Sequence, residues 1–340
     1  MGAIPRVSVV IPTYNSAAYL PETIASVTAQ SFQDFEIIIV DDGSTDQTKS
    51  FVERSDHRVR YVFQEHTGIP AKARNKALEL VRGEFVAFVD SDDLWEAEKL
   101  ERQVQLMETQ VNVAVCFTDH CTFGASEDKR SAFDQARANL DRLQKTQVGN
   151  DDYIITSPTL LEDCLMRGPI PLWTSTILVR RSSLESVGRF NDEMPLDDDT
   201  QMWLRLAKQC CVGFIDKVLA RRRIRPSSIS ASSKERDSNI FSLKTLDTLH
   251  EWLALTREER NAVKCRAAEI AFAIGYGDFS NEQLKSSRKL LLSSLSRKWS
   301  WKAAKYIIYS LMPVTAIRLC RTLKRLLGKR PIGIVDAKSI

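Results

Sequence analysis

The 340-residue chain contains no apolar run long enough to cross a bilayer. The longest, around "YIIYSLMPVTAI", reaches about a dozen residues with a proline inside, whereas a spanning helix needs about 20. No CxxC pair occurs among the seven cysteines, and an odd number cannot close into a complete set of disulfides, so a reducing cytoplasm is the expected compartment. Cys116, His120 and Cys121 are close in sequence but lack a second ligand pair, and buried thiols on a strand are expected there rather than a zinc site. The opening "MGAIPRVSVVIPTYN" goes straight into strand-like sequence with no signal-peptide pattern, and Arg6 stands where a myristoylation signal requires Ser or Thr. Neither GxGxxG nor GxxxxGKS/T is present, which disfavours a dinucleotide fold and a P-loop. No internal repeat is visible. Acidic residues are missing from one long region: Gln283 to Val335 holds 13 basic residues and none acidic, so from a net charge of +4 the rest of the chain is left with −9. Charge segregated in this way commonly meets a polyanion or an anionic surface, the alternative being a solvated helix face.

What is present reads as a globular α/β protein. With 43% hydrophobic and 27% charged residues, the chain can bury a full core and form one large domain plus an appendage. "RVSVVI" (6–11), "FEIIIV" (35–40), "RVRYVF" (58–63) and "FVAFVD" (85–90) read as strands, and the segments between them space their apolar residues as helices do. Near-continuous Val and Ile implies strands buried on both faces, hence a mostly parallel, Rossmann-like sheet flanked by helices, with ligands at the carboxyl ends of the strands. "VAVCFT" (113–118) and "WTSTILVRR" also have strand character, the polar stretch Ala125 to Asp152 reads as a loop or small helices, and "DDDTQMWLRLAKQC" reads as a helix. From about Lys234 the pattern is wholly helical, which gives two domains, 1–230 and a helical, basic 231–340.

The candidate site residues fall at strand ends. In "DDGSTD" (41–46) Gly43 permits a tight turn and Asp46 can cap the next helix, or a carboxylate at the strand end can accept hydrogen bonds from a planar donor such as a nucleobase. "FVDSDDLW" (88–95) puts three carboxylates into four positions. Asp90 and Asp92, two apart, project on the same side of extended backbone as shared ligands of Mg2+ or Mn2+ would, and Asp93 can cap a helix beginning near Trp95. Capping is the alternative for all three.

In this order and spacing, "VSVVIPTYN", "VDDGSTD", "ARNKAL" and "GEFVAFVDSDDLW" resemble the glycosyltransferase family 2 enzymes of GT-A fold, over roughly residues 5–225. The resemblance implies transfer of a sugar from a nucleotide-diphosphate donor, most commonly a UDP-sugar, to an acceptor hydroxyl, with inversion at the anomeric carbon and a divalent metal, Mn2+ or Mg2+. By position it implies that Pro12, Thr13 and Tyr14 wall the nucleoside, that Asp42 accepts from the base with Asp41 beside it in the nucleotide site, that Arg74 lies near the diphosphate, and that Asp90, Ser91 and Asp92 form the DxD motif, binding the ribose and the metal. It aligns Asp198 and Asp199 with the family's acidic pair before a helical Trp, Asp199 being the base; Asp197 to Asp199 otherwise serve only the helix dipole. Arg225 stands where many relatives carry His. Two rival readings are a metal-dependent nucleotidyltransferase, which lacks its Gly-rich Lys loop here, and a nucleic-acid binder led by the basic tail, which lacks a recognised motif. For the tail, Trp299 to Leu327 has the composition of interfacial helices, and the resulting expectation is a cytoplasmic enzyme, peripheral on the inner face of the plasma membrane, acting on a saccharide or lipid-linked acceptor in cell-surface polysaccharide or glycolipid synthesis. No nucleic-acid partner is expected.

Overall fold

The computed structural model describes residues 4–124, 131–157, 160–166, 172–194, 198–225 and 235–318, and the chain divides into two compact units, 1–232 and 233–340. In the first unit a sheet begins with β1 (Val7–Thr13), β2 (Phe35–Asp41), β3 (Val59–Phe63) and β4 (Phe85–Phe88), all mutually parallel in the order β3-β2-β1-β4. Their connections are α1 (Leu20–Thr28), α2 (Thr48–Val52) and α3 (Pro70–Leu78). The Val and Ile runs are explained by two apolar layers. Val9, Ile11, Ile37 and Ile39 pack with Leu20 and Ile24 on one face, while Val10, Ile38, Val40 and Phe88 pack with Ala73 and Ala77 on the other. The edge strand β3 is only half-buried.

Beyond β4 the sheet becomes mixed. A two-residue strand β5 (Leu94–Trp95) is followed by α4 (Lys99–Thr109), β6 (Val113–Gly124), α5 (Ala132–Arg142), β7 (Lys145–Gln147), β8 (Asp152–Ile155) and α6 (Leu160–Met166). Then come a 3-10 turn at Thr174–Thr176, β9 (Leu178–Arg180), α7 (Arg181–Val187), α8 (Asp198–Gln209) and the long β10 (Cys211–Ile224). The sequence order is broken by β9, which sits antiparallel between β4 and β6. β10 runs parallel to β6 and antiparallel to β5 and β8.

Three expectations change. "WTSTILVRR" is not one strand but a 3-10 turn followed by β9, and the turn matters for the site. The polar stretch Ala125 to Asp152, besides the helix α5, contains the strand β7, and β8 begins at its last residue, with 125–130 outside the described residues. No helix begins near Trp95: Leu94 and Trp95 pair with Arg221 and Ala220, so Asp93 is not a cap. Cys116 is fully buried, and burial pushes its thiol up to about 12; Cys121 is half-buried.

The second unit is helical: α9 (Glu235–Trp252), α10 (Arg257–Ser280), α11 (Leu284–Arg297) and α12 (Trp301–Ser310). α10 opens on a capping box, Thr256 with Glu259. α10 and α11 approach closely at Gly275, where a Cβ would come within 3.0 Å of the Leu291 side chain, and the Ser287 and Ser294 hydroxyls donate to the Gly275 and Ala268 carbonyls. Asp278, buried, accepts from Arg236 Nε at 2.6 Å and from the Ser286 hydroxyl, tying α9 and α11 to α10. No helix among the described residues is long and apolar enough to cross a membrane.

Although burial opposes its charge, the bonds from Arg236 and Ser286 hold the Asp278 carboxyl below its ordinary value. A depressed folded-state pKa contributes stability that is complete above the unfolded carboxylate pKa and is lost as pH falls through the folded value. Asp278→Ala is therefore expected to destabilise the helical unit by about 2 kcal/mol near neutral pH in urea melts followed by circular dichroism, with a smaller difference from wild type at about pH 3.

Candidate active site

The carboxyl ends of β1, β2 and β4 bring the motif residues to one edge of the sheet. β1 ends in Pro12 and Thr13, and the chain then turns through Asn15, a non-glycine residue with φ of 46°. Asn15 Oδ1 accepts from Thr45 N–H at 2.8 Å and its own N–H donates to Ser44 Oγ at 2.8 Å, which fastens "PTYN" to "DDGSTD". The Tyr14 ring stacks on His66, centroids 4.1 Å apart and planes 20° apart, a partly exposed aromatic pair beside the turn. The Thr13 hydroxyl, buried, has no hydrogen-bond partner.

Asp41 and Asp42 hold the scaffold. Asp41 accepts from Ser44 N–H at 2.8 Å and from the Tyr61 hydroxyl at 2.6 Å, and burial followed by that bond pushes the phenol well above its ordinary value. Asp42 accepts from Thr67 N–H, the Thr67 hydroxyl, Gly68 N–H and Gln64 Nε2, and its carbonyl lies 2.7 Å from His66 Nδ1. These bonds fix the 64–68 loop, which carries His66. Gly43, φ +82°, is required there, because a Cβ would lie 2.7 Å from the His66 backbone nitrogen.

The acidic turn after β4 is the most connected part of the site. Arg74, buried on α3, donates to Asp90 Oδ1 at 3.1 Å, and Ser91 Oγ lies 2.8 Å from Ser16 Oγ. Asp92 Oδ2 lies 2.7 Å from Nε of Arg225, the residue just after β10, a proximity that follows from the β5–β10 pairing. Burial, then the charge of Asp90, raises the Asp92 carboxyl above its ordinary value, with Arg225 opposing. Asp93 is enclosed: its Oδ2 accepts from Trp173 Nε1 at 2.9 Å and from the Ser175 hydroxyl at 2.6 Å, and its Oδ1 from Arg223 N–H at 2.9 Å. Burial, then Asp90 and Asp92, push it up to about 7.

Between Trp173 and Ser175, Thr174 donates to Asp199 Oδ2 at 2.7 Å, while Asp199 Oδ1 accepts from Thr200 N–H at 2.8 Å. Ser175 Oγ also accepts from Asp90 N–H at 3.0 Å. Three consecutive residues thus join the acidic turn to the head of α8. Asp198 opens α8 in backbone only, and its side chain and Asp197 lie outside the described residues. The guanidinium of Arg222 covers the Trp173 ring at 3.8 Å, and His120 approaches the same indole at 6.2 Å, its pKa lowered by burial to about 4.

Sequence reasoning missed Asn15, His66, Trp173, Thr174 and Ser175. Their roles rest on contacts between residues at least 20 apart in sequence. Only the Trp-Thr-Ser-Thr run, polar inside an otherwise strand-like segment, carried a signal.

Among the described residues no group of three or more His, Cys, Asp or Glu is arranged to hold a metal ion. Asp90 and Asp92, two hard carboxylates close enough for the charge of one to act on the other, do fit an ion of the Mg2+ or Mn2+ type, which commonly takes one or two protein carboxylates and completes its shell with water and phosphate oxygens.

Comparison with known proteins places these motifs. The family model described as Glycosyl transferase family 2 matches residues 8–163. The putative teichuronic acid biosynthesis glycosyltransferase TuaG of Bacillus subtilis is 32% identical over 276 residues, 77% of this chain and 98% of that protein. The Escherichia coli UDP-Glc:alpha-D-GlcNAc-diphosphoundecaprenol beta-1,3-glucosyltransferase WfgD is 40% identical over 102 residues, 30% of this chain and 40% of its own length. In fold, the chain resembles S. aureus TarS 1–349 in complex with UDP-GlcNAc, with TM-score 0.65 and 20% identity over 97% of this chain and 95% of that one. It also resembles the mannosyltransferase PcManGT from Pyrobaculum calidifontis in complex with GDP-Man and Mn2+, with TM-score 0.55 and 18% identity over 96% and 84%. The strand-end motifs, the GT-A sheet that carries them and the full-length likeness to TuaG agree: this chain belongs to glycosyltransferase family 2.

Proposed function

We propose that this glycosyltransferase moves a sugar from a nucleotide-diphosphate sugar, a UDP-sugar, to an acceptor hydroxyl with inversion at the anomeric carbon, in the synthesis of a cell-surface polysaccharide or glycolipid. The observation that carries the reading is the strap Trp173–Thr174–Ser175, which holds the acidic turn of Asp90 to Asp93 and the carboxylate of Asp199 in one hydrogen-bonded frame. Relatives named for UDP-sugar chemistry support the donor class, since WfgD is named for UDP-Glc and the TarS complex contains UDP-GlcNAc.

The division of labour follows from the chemistry. The Tyr14–His66 stack offers a flat face to a nucleobase, with Pro12 and Thr13 beside it. Asp90 and Asp92 would hold the divalent ion, which when bound supplies Lewis-acid stabilisation of the departing diphosphate. Arg74 adds positive charge on the donor side of the turn. Asp199 is the base: its Oδ2 is oriented by the Thr174 hydroxyl, and it takes the acceptor proton as the hydroxyl attacks the anomeric carbon from the face opposite the diphosphate. Asp198, its neighbour at the start of α8, assists in placing the acceptor.

The second unit supports a membrane-surface location. Trp299, Trp301, Ile308 and Leu311 are 64%, 78%, 63% and 65% exposed, and Trp301, Ile308 and Leu311 share one side of α12 with Lys302 and Lys305 on its flank. Apolar rings and chains beside ammonium groups suit the boundary of an anionic bilayer better than a nucleic-acid backbone, which would favour a continuous basic stripe. A lipid-linked acceptor would be met at that boundary.

Three outcomes test these assignments. Asp199→Asn is expected to cut transfer by about 10²- to 10⁴-fold with nucleotide affinity unchanged, measured by product formation and by calorimetric UDP titration; a fully active variant would remove the base from this position. Release of UDP from a panel of nucleotide sugars should require Mn2+ or Mg2+ and fall sharply in Asp92→Asn, so undiminished turnover in chelator would sink the metal assignment. Trp299→Ser/Trp301→Ser should lose at least about tenfold in partition onto vesicles containing phosphatidylglycerol while donor hydrolysis stays intact, and unaltered partition would assign those residues another role.

A further inference from the structure

The arginines around the acidic turn are held in unequal ways. Arg74 is buried and bonded to Asp90, its guanidinium also lying 5.7 Å from the centre of the Phe190 ring. Arg223 is anchored at three points: its N–H donates to Asp93 Oδ1 at 2.9 Å, its Nε to the Asp92 carbonyl at 2.8 Å and a terminal nitrogen to Glu22 at 2.7 Å. None of these uses the Asp92 carboxylate. Arg225 does, at 2.7 Å, yet its Nε–H is not aligned on the carboxylate and makes no hydrogen bond. Its side chain is 23% exposed, and its guanidinium also lies 5.0 Å from the centre of the Tyr19 ring. Arg225 is a charge kept close rather than a group locked in place.

The oxygen it covers belongs to one of the two carboxylates assigned to the donor's divalent ion. A cation on that oxygen and a guanidinium 2.7 Å from it repel each other, so the two occupants exclude one another. With donor absent, three carboxylates in four positions need positive charge. With donor present, the same arginine is next to a diphosphate, for which its planar fork is suited. We propose that Arg225 is a displaceable counter-cation, neutralising Asp92 in the donor-free enzyme and passing to the donor diphosphate when the metal–nucleotide complex takes over that carboxylate. This rests on the assignment of Asp90 and Asp92 as donor-side ligands. The consequence is ordered loading: Mn2+ alone binds weakly because it competes with Arg225, and nucleotide relieves the competition by giving the guanidinium a second anion.

The test is binding, with no turnover involved. Free Mn2+ is measured by electron paramagnetic resonance on the full chain without nucleotide, and UDP is titrated calorimetrically at saturating Mn2+, for wild type, Arg225→Gln, Arg225→Lys and Asp92→Asn. Arg225→Gln should bind Mn2+ alone about fivefold more tightly, the scale of one partly exposed ion pair, and UDP with Mn2+ about fivefold more weakly. Arg225→Lys, with charge but no fork, should fall between the two in UDP affinity. Unchanged or weaker Mn2+ binding in Arg225→Gln overturns the counter-cation, and unchanged UDP affinity overturns the transfer to phosphate. Mn2+ binding that survives Asp92→Asn identifies a different failure, that of the ligand assignment on which the proposal stands.

Discussion

Asp93 is the buried carboxylate on which three remote parts of the first unit converge. Its carboxylate is closed off from water, and an ionised group in that position is tolerated only when donors surround it. Those donors come from remote places: the indole of Trp173, the hydroxyl of Ser175 and the backbone of Arg223. A buried acceptor this demanding fixes geometry more firmly than apolar packing does, because each missing partner costs about 1–3 kcal/mol or more. The β5–β10 pairing, the 3-10 turn and the contact of Thr174 with Asp199 all surround that one side chain.

The acidic turn is therefore two layers of carboxylate with different duties. Asp90 and Asp92 are paired with arginines, the buried Arg74 and the partly exposed Arg225, while Asp93 is spent on structure. The same partition appears at the end of β2, where Asp41 and Asp42 are both engaged by the protein and the partly exposed surface is the ring pair they support. Clusters of like charge on this sheet edge are stable because a fraction of each cluster is saturated internally.

Much of this architecture was legible in the sequence. Val and Ile runs with helical spacing between them give the parallel half of the sheet, since strands buried on both faces leave no other pattern, and the strand ends mark Pro12 to Tyr14, Asp41, Asp42 and Asp90 to Asp92. The legibility stops where a residue's partner is distant. Asp93 reads as a cap because Asp before a possible helix usually is one; the pairing of Leu94 and Trp95 with a strand some 125 residues later is invisible locally. "WTSTILVRR" reads as one strand because Thr, Ile and Val favour extended backbone, whereas tertiary hydrogen bonds from Thr174 and Ser175 curl its first part. Arg225 is visible as a departure from the family pattern, but its contact with Asp92 is a product of register.

The placement of β9 has a bearing on how the chain comes into being. β4 and β6 flank a gap one strand wide, and its occupant arrives about ninety residues after β4. On the ribosome, β4 and β6 are both made well before β9, each presenting unpaired backbone and buried-type side chains such as Phe88 and Phe117. Such edges invite pairing with other chains until they are covered. Nascent chains shorter than about 180 residues carry the motifs from Pro12 to Asp92 yet cannot close the sheet, which also waits for β10 beside β6, so the acidic turn and the head of α8 acquire their mutual geometry late, after those motifs have been synthesised.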